Sequence, residues 1–180
     1  LPLTRERLGM ASCTIYGAYV EDDPINDDEE QWNGSGFVIS SIGDTLMVIT
    51  NRHVLGIDML YENMDEILRH ELKISGYAIL VEFPSGEILM PTAIACHSNH
   101  DFAVLFVEAP LLEEGVDYIT LHTDASVQWE IGDDVWAIGA GYSFQGSVTR
   151  GIISAARQLP GFRNRYTPMI QIDAAINPGN

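Results

Sequence analysis

The apolar residues of this chain come in short β-branched and aromatic runs, each closed by glycine, proline or a small polar residue. Runs of that length and chemistry build strands rather than helices. Cys13-Thr-Ile-Tyr-Gly-Ala-Tyr-Val20 is the first of them, after a Thr4 to Met10 segment with room for one helical turn. Gly36-Phe-Val-Ile-Ser40 and Leu46-Met-Val-Ile-Thr50 follow, joined by the turn signal Ser41-Ile-Gly-Asp44. Strands are next expected over Tyr77 to Phe83, Ile88 to Ala95 and Phe102 to Val107, and later around Ile119, Val135 to Gly139, Val148 to Ala156 and Met169 to Asp173. Glu108 to Val116, with Pro110 and Gly115, reads as a connector between the two groups. One stretch changes period: Leu60, Met64, Ile67 and Leu68 share a helical face, which predicts an amphipathic helix over about 58–71. Short strands, glycine-marked turns and little helix make an all-β barrel or sandwich, and 180 residues suffice for one domain or two small ones.

Charge removes whole classes of partner. A formal net charge of −17 argues against nucleic acid, whose binding depends on Lys and Arg neutralising phosphates, and against an anionic membrane surface. No apolar run reaches the length that spans a bilayer, so no membrane insertion is expected. Cys13 and Cys96 lack the CxxC spacing of zinc and redox sites and are expected as two buried thiols rather than a disulfide. Leu-Pro-Leu at the start, with neither an initiator Met nor a signal pattern, reads as a processed or excised segment.

Three stretches carry chemistry. Gly34-Ser-Gly-Phe-Val-Ile-Ser40 leads into Val48-Ile-Thr-Asn-Arg-His-Val-Leu55, which sets His53 just past a strand end, where an imidazole can face a cleft. His100-Asp-Phe-Ala-Val-Leu-Phe-Val107 sets Asp101 before an apolar strand, a costly place for a carboxylate unless it is paired. Ile170-Gln-Ile-Asp-Ala-Ala-Ile-Asn-Pro-Gly-Asn180 closes the chain. A nucleophilic hydrolase needs an imidazole base, a carboxylate to orient it and amide donors for the oxyanion. On residues alone, Asp101 could equally cap a turn or pair with His97 or His100, and His53 could be structural. A metal site at His97, His100 and Asp101 is accompanied by no further well-spaced ligand group, so no metal is expected. The acidic loop Asp22 to Glu30 fails the calcium-loop template, with Pro24 at the second ligand and Asp27 where glycine is needed; it reads as a solvated charge run. Gly139-Ala-Gly141 fails the dinucleotide fingerprint at Phe144.

Taken in order, the stretches Gly34 to Phe37, Thr50 to Val54, Asp101 to Leu105, Gly132 to Gly139, Val148 to Ala155 and Asp173 to Asn180 resemble the trypsin-like serine peptidases, specifically the bacterial high-temperature-requirement (Deg-type) branch. That branch carries GSGF, TNxHV, D-x-AVL, GD-x-V-x-AIG, VT-x-GI-x-SA and DAAINPGN motifs in this order. The resemblance implies a two-barrel chymotrypsin/trypsin-like fold. Its N-terminal barrel would span 1–112, with the 58–71 helix as an insertion, and residues 113–180 would form the first part of a second, incomplete barrel. It further implies His53 as general base, Asp101 as its orienting group, Gly179 as an oxyanion-hole donor, Ala175 and Ile176 in the primary substrate pocket, and the nucleophilic serine immediately after Asn180. Endopeptidase activity through an acyl-enzyme follows, on protein or peptide substrates, without a cofactor. A homo-oligomer, or a second chain completing the barrel, are further expectations. The address implied is periplasmic, with a cytoplasmic one as the alternative. Ala140-Gly-Tyr-Ser-Phe144 departs from the family's Pro-Phe-Gly, and no PDZ module is visible. Competing readings are a protease-like binding module with its nucleophile replaced, and one fragment of a cleaved protease.

Overall fold

Strand alternation drives the architecture. In the computed structural model, which describes residues 9–19, 31–56, 69–70, 77–97, 100–109, 128–139, 147–160 and 166–176, every second residue of β3 (Thr45–Thr50) points inward. Leu46, Val48 and Thr50 are buried and their neighbours half-exposed. The same period runs through β8 (Ala103–Glu108), where Ala103, Leu105 and Val107 are buried. Antiparallel register lines these residues up: Val38 of β2 (Gln31–Ile42) faces Val48, Val48 faces Leu105, and Leu105 faces Ile94 of β7 (Pro91–Cys96). Directly paired side chains share one face of a sheet, so four strands present a continuous apolar row. Full burial of each such side chain stabilises by about 1.5–3 kcal/mol.

The remaining strands close this sheet on itself. Its order is β4-β7-β8-β3-β2-β1-β5-β6, with β1 Ser12–Tyr19, β4 Arg69–His70, β5 Tyr77–Glu82 and β6 Ile88–Leu89. β6 lies at one edge and β7 next to the other, yet Met90 alone separates them in the chain. The run expected as one strand, Ile88 to Ala95, is therefore a corner that pairs with β5 through its first residues and with β8 through the rest. Counting β6 and β7 as one bent strand, β1, β2, β3, β5, β6/β7 and β8 make a six-stranded barrel. Register shifts at Val38/Ser40 and Pro91/Ala93 supply the bends that closure needs. Gly43, at φ 58, takes the left-handed turn between β2 and β3, a conformation that L side chains disfavour. The interior holds Ile15, Val38, Val48, Leu55, Ile79, Val81, Phe83 and Leu105, each at most 1 % exposed.

A second, three-stranded sheet follows in the order β11-β10-β9, from β9 (Asp134–Gly139), β10 (Ser147–Pro160) and β11 (Tyr166–Ile172). β10 pairs with β9 through its first half and with β11 through its second, with a register shift between Ile153 and Ala155. β9 packs against β1 and β2 of the first barrel. Trp129, Ile131, Trp136, Met169 and Ile170 remain exposed on this part of the chain, while Ile153 and Ala174 are buried.

Two expectations need adjustment. Of the helix read over 58–71, residues 69–70 form β4 instead, paired to Ala95 and Ile94; the remainder lies outside the described residues. The spacing that predicts the helix, Leu60 to Leu68, lies outside the described residues, so the difference concerns the C-terminal boundary, where backbone pairing with β7 takes Arg69 and His70. β2 also begins at Gln31 rather than Gly36, because its first residues pair with β1 from Ala18 to Thr14. The expected division near residue 112, the candidate strand at Ile119 and the loop at 140–144 fall outside the described residues. Cys13 and Cys96 are thiols, not a disulfide. Burial pushes the Cys13 thiol up to about 12, against a smaller downward pull from the Gly36 backbone, so it stays protonated and inert at neutral pH.

Candidate active site

β3 ends at Thr50, whose hydroxyl donates to the Ser35 carbonyl (2.8 Å), and the chain turns into a four-residue 3-10 helix, η1 (Arg52–Leu55). Leu55 anchors this turn in the barrel core, Val54 N–H bonds Asn51 O (3.2 Å), and Gly56 closes it in the left-handed region with its N–H on His53 O (3.0 Å). His53 thus projects from the outer side of a turn fixed at both ends. Its side chain remains 61 % exposed.

Asp101 comes from the turn that precedes β8. That turn is tied to itself and to η1: His97 N–H donates to Phe102 O (3.0 Å), Phe102 N–H to His100 O (2.9 Å), and His100 N–H to the His97 ring Nδ1 (3.0 Å). The His97 ring packs on Phe102 at 4.7 Å between centroids, and Arg52 donates to His97 O at 3.0 Å. These bonds bring Asp101 onto His53 twice. Asp101 Oδ2 lies 2.6 Å from His53 Nδ1, and Oδ1 accepts the His53 backbone N–H at 2.9 Å. Asn51 adds a third hold, its Nδ2 donating to the Asp101 carbonyl (2.8 Å) and reaching Oδ2 at 3.3 Å.

Electrostatics fix the proton. Partial burial pulls the Asp101 carboxyl upward, but the backbone N–H and ring of His53, with the Arg52 charge nearby, outweigh it and hold Asp101 below the usual carboxylate range. An ionised carboxylate only accepts hydrogen bonds, so the proton on Nδ1 is the donor and Nε2 of the neutral ring carries the open lone pair. A depressed carboxyl contributes stability that is fully present above its unfolded value, near 3.9, and is lost as pH falls through the folded value. The expected result is that the side-chain carboxyl carbon of Asp101, followed by NMR, titrates at lower pH than those of exposed aspartates; an ordinary midpoint would mean that His53 does not hold it.

A cleft of about 280 Å³ adjoins this pair, walled by Phe37, Ile49, Thr50, Asn51 and Phe102 from the first barrel and Ile138 from β9. Asn51 and Phe102 flank the His53–Asp101 pair, so the cleft borders it, although His53 is not part of its wall.

Ala175 and Ile176 follow β11 on the second sheet, both exposed. Their backbone is held against β10: Thr149 Oγ1 donates to Ala175 O (2.7 Å), Ile152 N–H donates to Asp173 Oδ1 (2.6 Å), and Asp173 N–H returns to Ile152 O (3.2 Å). Gly151 makes the approach feasible, because a Cβ there would stand 2.3 Å from Ala174 N. Gly179 lies outside the described residues. Among the described residues, His53 and Asp101 are the expected site residues that meet directly. Asn51, Thr149 and Asp173 were not singled out from the sequence. Asn51 stands inside the TNxHV stretch, two residues before His53, and Thr149 inside the VT-x-GI-x-SA stretch, and those placements were the available signal. Among the described residues no group of three His, Cys, Asp or Glu side chains is placed to hold a metal ion.

The trypsin-like peptidase domain family matches residues 34–180. Two bacterial proteins described as "Probable periplasmic serine endoprotease DegP-like" are similar to the chain. That of Pseudomonas savastanoi pv. phaseolicola is 37 % identical over 153 residues, covering 84 % of this chain and 26 % of the relative. That of Halomonas elongata is 38 % identical over 154 residues, covering 85 % and 26 %. The chain therefore spans about a quarter of the length of the curated relatives it matches. The crystal structure of Deg5 aligns with 97 % of this chain and 73 % of its own, at TM-score 0.62 and 21 % identity, a likeness of fold.

Proposed function

The chain belongs to the trypsin-like peptidase domain family, and from that membership we propose that it supplies the base half of a serine endopeptidase. The carrying observation is the 2.6 Å contact between His53 Nδ1 and Asp101 Oδ2 beside an exposed imidazole. With Nδ1–H committed to Asp101, His53 Nε2 takes the proton of the attacking serine as its oxygen bonds the scissile carbonyl carbon. The same proton then goes to the leaving amine, and water repeats the sequence on the acyl-enzyme. Asp101 orients the ring and stabilises the imidazolium. The serine is expected directly after Asn180, with Gly179 donating to the oxyanion. Protein substrates in the periplasm are proposed from the names of the relatives.

In a chain continued past Asn180, a fluorophosphonate probe should label the expected serine. Absence of labelling in a folded protein would leave the inactive binding module as the reading.

Ala175 and Ile176 are proposed to face the substrate's P1 side chain. Neither carries charge, and the Asp173 carboxylate nearby is engaged by the Ile152 N–H. A pocket without a carboxylate does not offset the desolvation of Lys or Arg, so Val, Ala or Ile should be favoured at P1. Peptide-library profiling tests this, and a dominant preference for Arg or Lys would overturn it.

A further inference from the structure

His53 is carried on four residues of 3-10 helix, too short to hold its own geometry, so its direction depends on what η1 is tied to. On its N-terminal side the ties are Asn51 and Arg52, already described. On its C-terminal side stands a residue with no place in the family motifs. Trp32, in β2, donates its indole Nε1–H to the carbonyl of Val54 at 2.7 Å, one residue beyond His53.

Two glycines make room for this contact. Trp32 pairs with Gly17 across β1 and β2, and a Cβ on Gly17 would stand 2.3 Å from both Cε2 and Cζ2 of the indole, so the ring lies flat over that glycine. Two residues along the same face of β2, a Cβ on Gly34 would stand 2.5 Å from Val54 Cγ1; the Val54 side chain occupies that space. η1 is thus seated on β2 through a side chain at Gly34 and a carbonyl at Trp32. The seat lies on the rigid barrel wall, where the fold leaves least freedom to a rotamer.

We infer that Trp32 is a positioning residue for His53, acting through the Val54 carbonyl to fix the rotation of η1 that keeps the His53 backbone N–H on Asp101 Oδ1 and its ring on Oδ2. With the Val54 carbonyl released, the C-terminal half of η1 keeps only the apolar seats of Val54 at Gly34 and of Leu55 in the core, which resist its rotation less than a directed hydrogen bond does. That rotation lengthens both contacts to Asp101 at once, because ring and backbone N–H belong to the same residue. Angstrom-scale misplacement of a base falls on the rate of the chemical step rather than on substrate binding.

This inference rests on His53 being the base, and the experiment separates the two. In the full-length protein containing this chain, Trp32→Phe keeps a ring over Gly17 and removes the N–H donor. It should lower kcat roughly tenfold with KM within about twofold, and should shift or broaden the low-field proton resonance of His53 Nδ1–H. His53→Ala is the control: residual turnover equal to wild type would remove the reading that His53 is the base, whatever Trp32 does. With His53→Ala inactive, a Trp32→Phe protein whose kcat and Nδ1–H resonance match wild type overturns the positioning role. So does one that loses thermal stability while the resonance stays in place, since that is packing alone. If Trp32→Phe does not fold, Gly17→Ala displaces the ring through the close approach described and should give the same kcat loss and resonance change; an unchanged resonance there also overturns the proposal.

Discussion

Replacing His53 by alanine, in a chain that continues through the expected serine, should lower kcat about 10⁵–10⁶-fold and abolish fluorophosphonate labelling on the same time scale. A serine hydroxyl is a weak nucleophile until its proton has somewhere to go, and Nε2 of His53 is the proposed acceptor. The ring's other nitrogen is occupied by Asp101, so no second arrangement of this side chain does the same work. His97 and His100 lie on the adjoining turn, but the His97 Nδ1 accepts the His100 N–H and both rings are packed with Phe102, which leaves neither placed as a substitute. The variant should fold, because His53 is exposed and η1 is anchored by Leu55. Circular dichroism and the melting temperature check that point. Labelling at the wild-type rate in a folded variant would end the assignment of His53 as base.

Asp101→Asn should cost about 10⁴-fold in kcat with little change in KM, and for a reason that can be read from the hydrogen bonds. Both carboxylate oxygens face donors: Oδ1 the His53 backbone N–H, Oδ2 the His53 ring. An amide has one oxygen. The backbone N–H has no alternative form and claims it, which turns the amide NH₂ toward the ring. His53 Nδ1 must then accept, the ring proton moves to Nε2, and the nitrogen facing the serine can no longer take a proton. Asn51 Nδ2, which reaches Oδ2 at 3.3 Å, would meet a second NH₂ and reinforce the cost. Asp101→Glu should recover less than full activity, since the longer arm cannot meet both donors from the same backbone position. Combining Asp101→Asn with His53→Ala should be no worse than His53→Ala alone, because the carboxylate acts only through the ring. Additive losses would show that Asp101 has a role apart from His53.

Much of the first barrel was legible in the sequence. Alternation in Leu46-Met-Val-Ile-Thr50 and Ala103-Val-Leu-Phe-Val107 is a local property, and the structure buries those faces as the alternation requires. The turn at Ser41 to Asp44 was equally local, and Gly43 takes the left-handed position there. The two cysteines were expected as buried thiols; both are thiols, with Cys13 buried and Cys96 half-buried. His53 and Asp101 were singled out by residue type and by the ordered motifs around them, and the structure brings their side chains together.

What the sequence by itself determined is therefore most of the strands among the described residues and the family, whose ordered motifs implied the pairing of His53 with Asp101. Tertiary structure alone decided the rest. The corner at Met90 depends on β5 and β8 each capturing half of one run. Arg69 and His70, at the expected end of the helix, are strand because an edge of β7 was there to pair with. His53 and Asp101 are 48 residues apart, and the bonds that aim them join three separate segments: Asn51 and Arg52 reach the turn before β8, and Trp32 reaches η1 from β2. Periodicity and turn chemistry act between residues a few positions apart and leave a trace in local composition. Contacts across a closed barrel are fixed by register and closure, which depend on the whole sheet at once, so no local stretch of sequence records them.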